Sequence, residues 1–221
     1  MNVINYMKDN INIQKKSTYN WKSVLGYALY DWASSPVPTL HATFIFSFYF
    51  IMQIAPENGT TYWMYMTSLA SLTIAVLAPF LGSFADAKNR RKTMLFLFTL
   101  IGALSTGTLW IIFPDKSFML QALIISFCSI VAMELTFVFY NSLLTSVALP
   151  HQIGKVSGIS WGFGYFGANI CLILALYVFV QNENPPFGIS IEKFEHVRAT
   201  MILAAFWLLI FSMPTFLLII E

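Results

Sequence analysis

Six apolar stretches dominate this 221-residue sequence. A stretch of roughly 20 apolar residues is long enough to cross a bilayer as a helix. Hydrophobic residues make up 57% of the chain and charged residues 10%, whereas a soluble domain carries about 25% charged residues. The sequence therefore predicts an all-α membrane protein, a bundle of six transmembrane helices. The predicted spans are 23–53, 62–84, 93–113, 118–147, 156–180 and 199–220.

The distribution of Lys and Arg predicts the orientation of the bundle. Residues 1–22 form a predicted cytoplasmic tail and residues 23–221 the bundle. The tail and the loops after the second and fourth spans hold nine of the twelve basic residues. Cytoplasmic loops carry the excess of basic residues, so both termini are expected in the cytoplasm. The tail has no apolar core typical of a signal peptide, and short tails favour a bacterial inner membrane.

Polar residues interrupt the first span. Asp31, Ser34 and Ser35 share one helical face. Pro36 cannot donate a hydrogen bond to the carbonyl of Trp32, so a kink or a carbonyl with another partner is expected there. A polar face beside a broken helix is typical of substrate sites in transporters. An acid that only ties helices together is the alternative.

Three further polar residues are candidates for the same pathway. Glu134 and Asn141 share one face of the fourth span, and Asn141 is the expected counterpart of Asp31. A low-dielectric cavity favours the protonated form of a carboxyl group, which makes Glu134 the candidate proton carrier. His41 suits a proton relay by its chemistry. Packing roles for Glu134 and His41 remain open.

The loop between the second and third spans reads GSFADAKNRRK over residues 82–92. Its Gly82, Asp86, Arg90 and Arg91 resemble the signature loop of the major facilitator superfamily. Asn89 stands where that family usually has glycine, and asparagine tolerates a left-handed backbone better than most residues. A generic basic cytoplasmic loop is the alternative reading.

Three more segments resemble the vacuole-effluxer branch of that superfamily, whose characterised members are associated with amino-acid efflux. They are YDWASS at 30–35, FYNSLL at 139–144 and IGKVSG at 153–158. The resemblance covers the amino-terminal half of a twelve-span architecture. It implies a secondary active transporter, a permease, that moves a small solute by alternating access.

The fifth span is rich in glycine. Gly158 and Gly162 form a small-xxx-small pair that allows close helix packing, and Gly164 follows. In the resembled fold this span faces the other half, so the glycines suit either that interface or packing within this half.

No motif indicates an enzyme, a metal site, an organic cofactor or nucleic-acid binding. The expected partners are a small-molecule solute, the lipid bilayer, and either a second six-span half or a second copy in a homodimer. The sequence stops directly after the sixth span with no basic residue beyond it, which favours a truncated or non-transporting subunit as the alternative function.

Overall fold

A computed structural model describes residues 21–219, and this range is helical without a strand. Six of its helices are long and apolar enough to cross a membrane, which confirms the predicted fold class. They are α1 (Trp21–Ile54), α2 (Gly59–Ala87), α3 (Arg91–Ile111), α4 (Lys116–Val147), α5 (Pro150–Val180) and α6 (Glu195–Leu218). The predicted tail lies almost entirely outside the described residues.

Helix α1 is irregular along most of its length. It is α-helical over Trp21–Ser34 and then passes through a short turn at Pro36–Pro38. Two π-helical segments follow, Thr39–Phe44 and Phe50–Ile54, separated by one α-helical turn. A π-helical segment interrupts the regular hydrogen-bond ladder, and such segments are frequent at functional sites.

The sixth helix begins four residues earlier than the sequence predicts, so Arg198 lies inside α6 rather than in a loop. Its side chain is 1% exposed. The guanidinium donates to the Trp110 carbonyl over 2.5 Å and to the Lys193 carbonyl over 3.3 Å, and it lies 4.4 Å from the Phe113 ring centroid. These partners, near the ends of α3 and α6, compensate for the burial of the charge. A hydropathy window along the sequence cannot detect them.

The helices pack around α1 and α3. Helix α1 lies along α5 and α6, and α3 lies along α4 and α6. Helix α2 packs mainly on α4. Buried apolar side chains form one cluster around Phe46 and Phe50 and a second around Tyr27 and Tyr140. Asp31 lies within α1, the helix that contacts both α5 and α6.

The last carbonyls of α6 hold the predicted cytoplasmic ends of the helices together. Lys92 donates its Nζ to the Ile219 carbonyl over 2.6 Å, and the Ser23 hydroxyl donates to Leu218. One turn earlier, the Thr215 hydroxyl donates to the Gly26 carbonyl over 2.7 Å. A cation at a helix carboxyl terminus also interacts favourably with the helix dipole.

Candidate functional site

Asp31 borders a cavity of about 220 Å³ between α1, α4 and α5. The Asp31 side chain is largely buried, at 4% exposed, and its Oδ2 has no hydrogen-bond partner in the described part of the chain. The cavity is lined by Asp31, Ser35, Pro38 and Thr39 of α1, by Phe137 of α4, and by Trp161, Tyr165 and Ala168 of α5.

The break in α1 beside this cavity has a defined cause. Proline has no backbone N–H, so Pro36 leaves the carbonyl of Trp32 without its helical partner. The indole Nε1 of Trp207 on α6 donates to that carbonyl over 3.1 Å. The two indole rings also stack, with centroids 5.7 Å apart. A side chain from another helix thus compensates the lost hydrogen bond.

Two glycines allow α5 to approach α1 at the break. A Cβ on Gly164 would lie 2.7 Å from the Ser35 hydroxyl and 3.1 Å from the Asp31 carboxyl carbon. A Cβ on Gly167 would lie 2.5 Å from the Trp32 carbonyl oxygen. A larger residue at 167 would displace α5 from α1, because it meets the α1 backbone, whereas one at 164 would displace the Ser35 and Asp31 side chains. The cavity geometry therefore depends on glycine at both.

A cluster of tyrosines packs beside Asp31. Tyr140 of α4 stacks on Tyr27 and Tyr30 of α1, with ring centroids 4.0 and 5.1 Å apart. Its hydroxyl donates to the Tyr27 carbonyl over 3.1 Å and also interacts with the Asp31 carboxyl. The Tyr30 hydroxyl lies 2.6 Å from that of Thr99 on α3. These contacts fix the position of Asp31 within the bundle.

Tyr140, rather than its neighbour Asn141, is therefore the residue of α4 that interacts with Asp31. Asn141 is exposed on α4 and does not line the cavity. Sequence reasoning missed Tyr140 as a functional candidate, although the motif at 139–144 contains it. The available signal was its position immediately before the asparagine.

Glu134 is exposed on the surface of α4. Phe137 lies one turn beyond it, and Asn141 one further turn along, so all three share one helical face. Because Phe137 lines the cavity, Glu134 and Asn141 flank the cavity wall on either side. The predicted shared face therefore contains Phe137, but neither Glu134 nor Asn141 itself lines the cavity.

His41 lies outside this cavity, in a separate polar cluster. Its Nε2 is 2.9 Å from the Ser126 hydroxyl and its Nδ1 is 3.4 Å from the Ser129 hydroxyl, which in turn lies 2.8 Å from that of Thr106. The ring packs edge-on against Trp63 and is 1% exposed. Both ring nitrogens have neutral partners, as expected of a packed histidine.

The two candidate serines of α1 lie in different surroundings. Ser35 lines the cavity, and its carbonyl accepts from the Thr39 hydroxyl over 2.8 Å. Ser34 is fully buried, and its hydroxyl has no partner in the described residues. Of the predicted α1 face, the structure brings Asp31 and Ser35 to the cavity and leaves Ser34 in the helix packing.

The predicted signature loop adopts a compact turn. Asp86 accepts from the Arg91 Nε over 2.6 Å, and the same guanidinium donates to the Ser142 carbonyl of α4 over 3.2 Å. Asn89 has a left-handed backbone, with φ of 48°, which is the conformation that a glycine favours. Gly82 faces Val138 of α4, and a Cβ there would make an ordinary packing contact at 3.5 Å, so the observed spacing of α2 and α4 does not require glycine.

Gly158 and Gly162 face an open surface. A Cβ on either would meet nothing within 4 Å in the described part of the chain. Gly162 immediately follows Trp161, whose side chain is 60% exposed. Of the three glycines predicted to pack helices, Gly164 contacts α1, and the other two lie on a face that the described residues leave uncovered.

The described residues contain no group of three or more His, Cys, Asp or Glu side chains arranged to hold a metal ion. The side chains around the cavity beside Asp31 supply one carboxyl group, three hydroxyls and three aromatic rings.

Comparison with known proteins agrees with the resemblance seen in the sequence. The sequence model of a family described as vacuole effluxer Atg22 like matches residues 57–152. The chain is 28% identical over 196 residues to an uncharacterized MFS-type transporter, YxiO, of Bacillus subtilis (strain 168). No solved structure matches the chain.

The predicted resemblance to the vacuole-effluxer branch of the major facilitator superfamily is confirmed by these matches. The matched residues 57–152 include the predicted signature loop, Glu134 and Asn141, but not Asp31 or the part of α5 after residue 152. The match to YxiO covers 85% of this chain and 44% of that relative, so the chain spans less than half the length of the curated relative it matches.

Proposed function

We propose that this chain, a relative of MFS-type transporters, forms one six-span half of a secondary active transporter that moves a small solute by alternating access. The carrying observation is the Asp31 cavity, whose wall includes exposed aromatic side chains of α5. Trp161 and Tyr165 are 60% and 65% exposed there, and Glu134 and Asn141 continue this surface along α4.

Such a surface is poorly suited to lipid. Ionisable residues in membrane spans almost always face a bundle interior or a water-filled cavity. A second six-span unit covering this side supplies the missing wall and places the solute near the interface of the two halves, as in related folds. Either a second copy of this chain or a separately encoded half provides that wall.

Within the proposed path, Asp31 and Ser35 bind the solute and Glu134 carries the coupling proton. Asn141 borders the path beside Glu134. Ser34 and His41 support the helix packing behind it. Amino acids are the solute class to test first, because the resemblance to the vacuole-effluxer branch implies them. The Pro36 break and the π-helical segments of α1 provide the flexible element that alternating access requires.

The test is uptake and efflux of radiolabelled amino acids in proteoliposomes. The chain is reconstituted alone and together with a second six-span half, and its mass in detergent separates monomer from dimer. Transport that is lost in Asp31→Asn and retained in Asp115→Asn, a substitution in an outer loop, supports the proposal. Absence of transport of every amino acid under both conditions contradicts it.

A further inference from the structure

The chemistry of the cavity specifies more than a small solute. We propose that it binds the ammonium group of an organic amine, held between the Asp31 carboxyl group and the aromatic rings of α4 and α5. This inference deepens the proposed function and rests on it for its biological role, although the binding itself can be measured without transport.

Charge is the first argument. Asp31 is the one carboxyl group among the described residues that line the cavity, and no lysine, arginine or histidine there neutralises it. Its Oδ2 is buried without a hydrogen-bond partner in the described residues. A buried polar atom without a partner is costly. A ligand with N–H donors and a positive charge satisfies both the hydrogen-bonding and the charge requirement of this oxygen.

The aromatic lining is the second argument. Trp161, Tyr165 and Phe137 surround the cavity together with Asp31, and the Trp161 and Tyr165 rings are in edge-to-face contact with centroids 6.1 Å apart. Aromatic faces attract cations, tryptophan most strongly, and aromatic cages recognise ammonium ligands. The combination of a carboxyl group with such rings favours a cation that also carries apolar surface.

An inorganic cation fits these surroundings less well. Hard cations take about six to eight oxygen ligands, most of them carboxylates, carbonyls and waters. The lining side chains offer one carboxyl group, that of Asp31, and the hydroxyls of Ser35, Thr39 and Tyr165. The volume of about 220 Å³ is several times the ~30 Å³ that a water takes up in the liquid, so the cavity also accepts a carbon skeleton.

The same lining predicts how an amino acid is oriented. No basic side chain in the described lining can receive a carboxylate. The ammonium end therefore enters beside Asp31, and the carboxylate of an amino acid points to the open side of the cavity. An amine that lacks the carboxylate satisfies the contacts of this half equally well.

The experiment compares three ligands of one carbon skeleton on the full chain in lipid nanodiscs. They are L-leucine, its decarboxylated analogue 3-methylbutylamine and its deaminated analogue 4-methylpentanoate, with binding followed by the shift in unfolding temperature. We expect L-leucine and 3-methylbutylamine to bind and 4-methylpentanoate not to bind. Asp31→Asn is expected to weaken amine binding about tenfold or more, since it removes a charge-assisted hydrogen bond.

Two further variants make the result independent of whether Asp31→Asn folds. Trp161 is exposed, so Trp161→Leu is expected to leave the helix packing intact. It is expected to weaken amine binding several-fold, and Trp161→Phe is expected to have an affinity between those of the wild type and Trp161→Leu. Asp115→Asn in the outer loop is the control and is expected to leave binding unchanged.

Three results would overturn the inference. They are binding of 4-methylpentanoate equal to that of the amines, an unfolding temperature that rises with NaCl more than with KCl and does not change with the amines, or no binding of any of the ligands. The same experiments distinguish a failure of the proposed transport function from a failure of the amine site. Amine binding without transport contradicts the transporter alone, and transport without amine selectivity contradicts the amine site alone.

Discussion

At the scale of single residues, the cavity depends on a few side chains that compensate for the proline in α1. Helical periodicity in the sequence correctly placed Asp31 and Ser35 on one face, because the first turns of α1 are regular. It could not identify Tyr140 or Trp207, because their contacts join residues more than one hundred positions apart. A window along the chain does not contain both partners.

Trp207→Phe is expected to destabilise the bundle, because the Trp32 carbonyl then loses its donor while the aromatic stacking is largely kept. The expected loss is about 0.5–2 kcal/mol, the scale of hydrogen bonds between transmembrane helices. The measurement is unfolding in mixed micelles by a titrated denaturing detergent. In a Pro36→Ala background, residue 36 regains a backbone N–H for that carbonyl, so the same substitution is expected to cost less. An equal cost in both backgrounds would contradict this assignment.

Gly167→Ala is expected to destabilise the α1–α5 contact by about 1–3 kcal/mol, the usual cost of overpacking, since its Cβ would lie 2.5 Å from the Trp32 carbonyl oxygen. Gly162→Ala is the matched control on the same helix, because its Cβ position is open. Unfolding of the isolated chain in detergent compares them. Indistinguishable stabilities of the two variants would argue against the observed approach of α5 to α1.

At the scale of elements, hydropathy located all six helices but not their local form. The hydropathy pattern did not reveal the π-helical segments of α1, and the early start of α6 depends on the tertiary partners of Arg198. The Asn89 conformation, in contrast, follows from local backbone preference at a tight turn, and sequence reasoning allowed for it. The sequence thus predicted features set by local backbone preference, but not those that depend on contacts with distant residues.

Arg198→Lys is expected to lower the thermal stability of the chain. A lysine carries a single donor group and cannot reproduce the guanidinium that reaches both the Trp110 and Lys193 carbonyls. Lys116→Gln is the control, because its contact with Glu57 is long, at 3.7 Å, and both side chains are highly exposed. The unfolding temperature in detergent is the measurement. An Arg198→Lys variant as stable as the control would show that the burial of Arg198 contributes little.

At the scale of the whole molecule, several small, aromatic and polar residues of α4 and α5 remain exposed on the bundle. The glycines at 158 and 162, the exposed rings of α5 and the Glu134 face of α4 all lie on surfaces left uncovered in the described residues. In the function proposed above, a second six-span unit covers these surfaces.

The predicted orientation has a direct test in intact cells. In a background lacking Cys128 and Cys171, Lys116→Cys in the loop before α4 is expected to react with a membrane-impermeant maleimide added outside. Lys88→Cys in the signature loop is expected to react only after the membrane is permeabilised, because basic loops remain in the cytoplasm. The reverse labelling pattern would contradict the predicted orientation.

The sequence by itself determined the six-helix membrane architecture, the signature loop and the polar face of the first span, because hydropathy, charge and helical period are local properties of the chain. Only the tertiary structure decided that Asp31 lies beside Tyr140, that Trp207 satisfies the Trp32 carbonyl, and that His41 belongs to a separate serine cluster. These outcomes depend on how side chains from distant segments pack together, and many packings are compatible with one hydrophobic pattern.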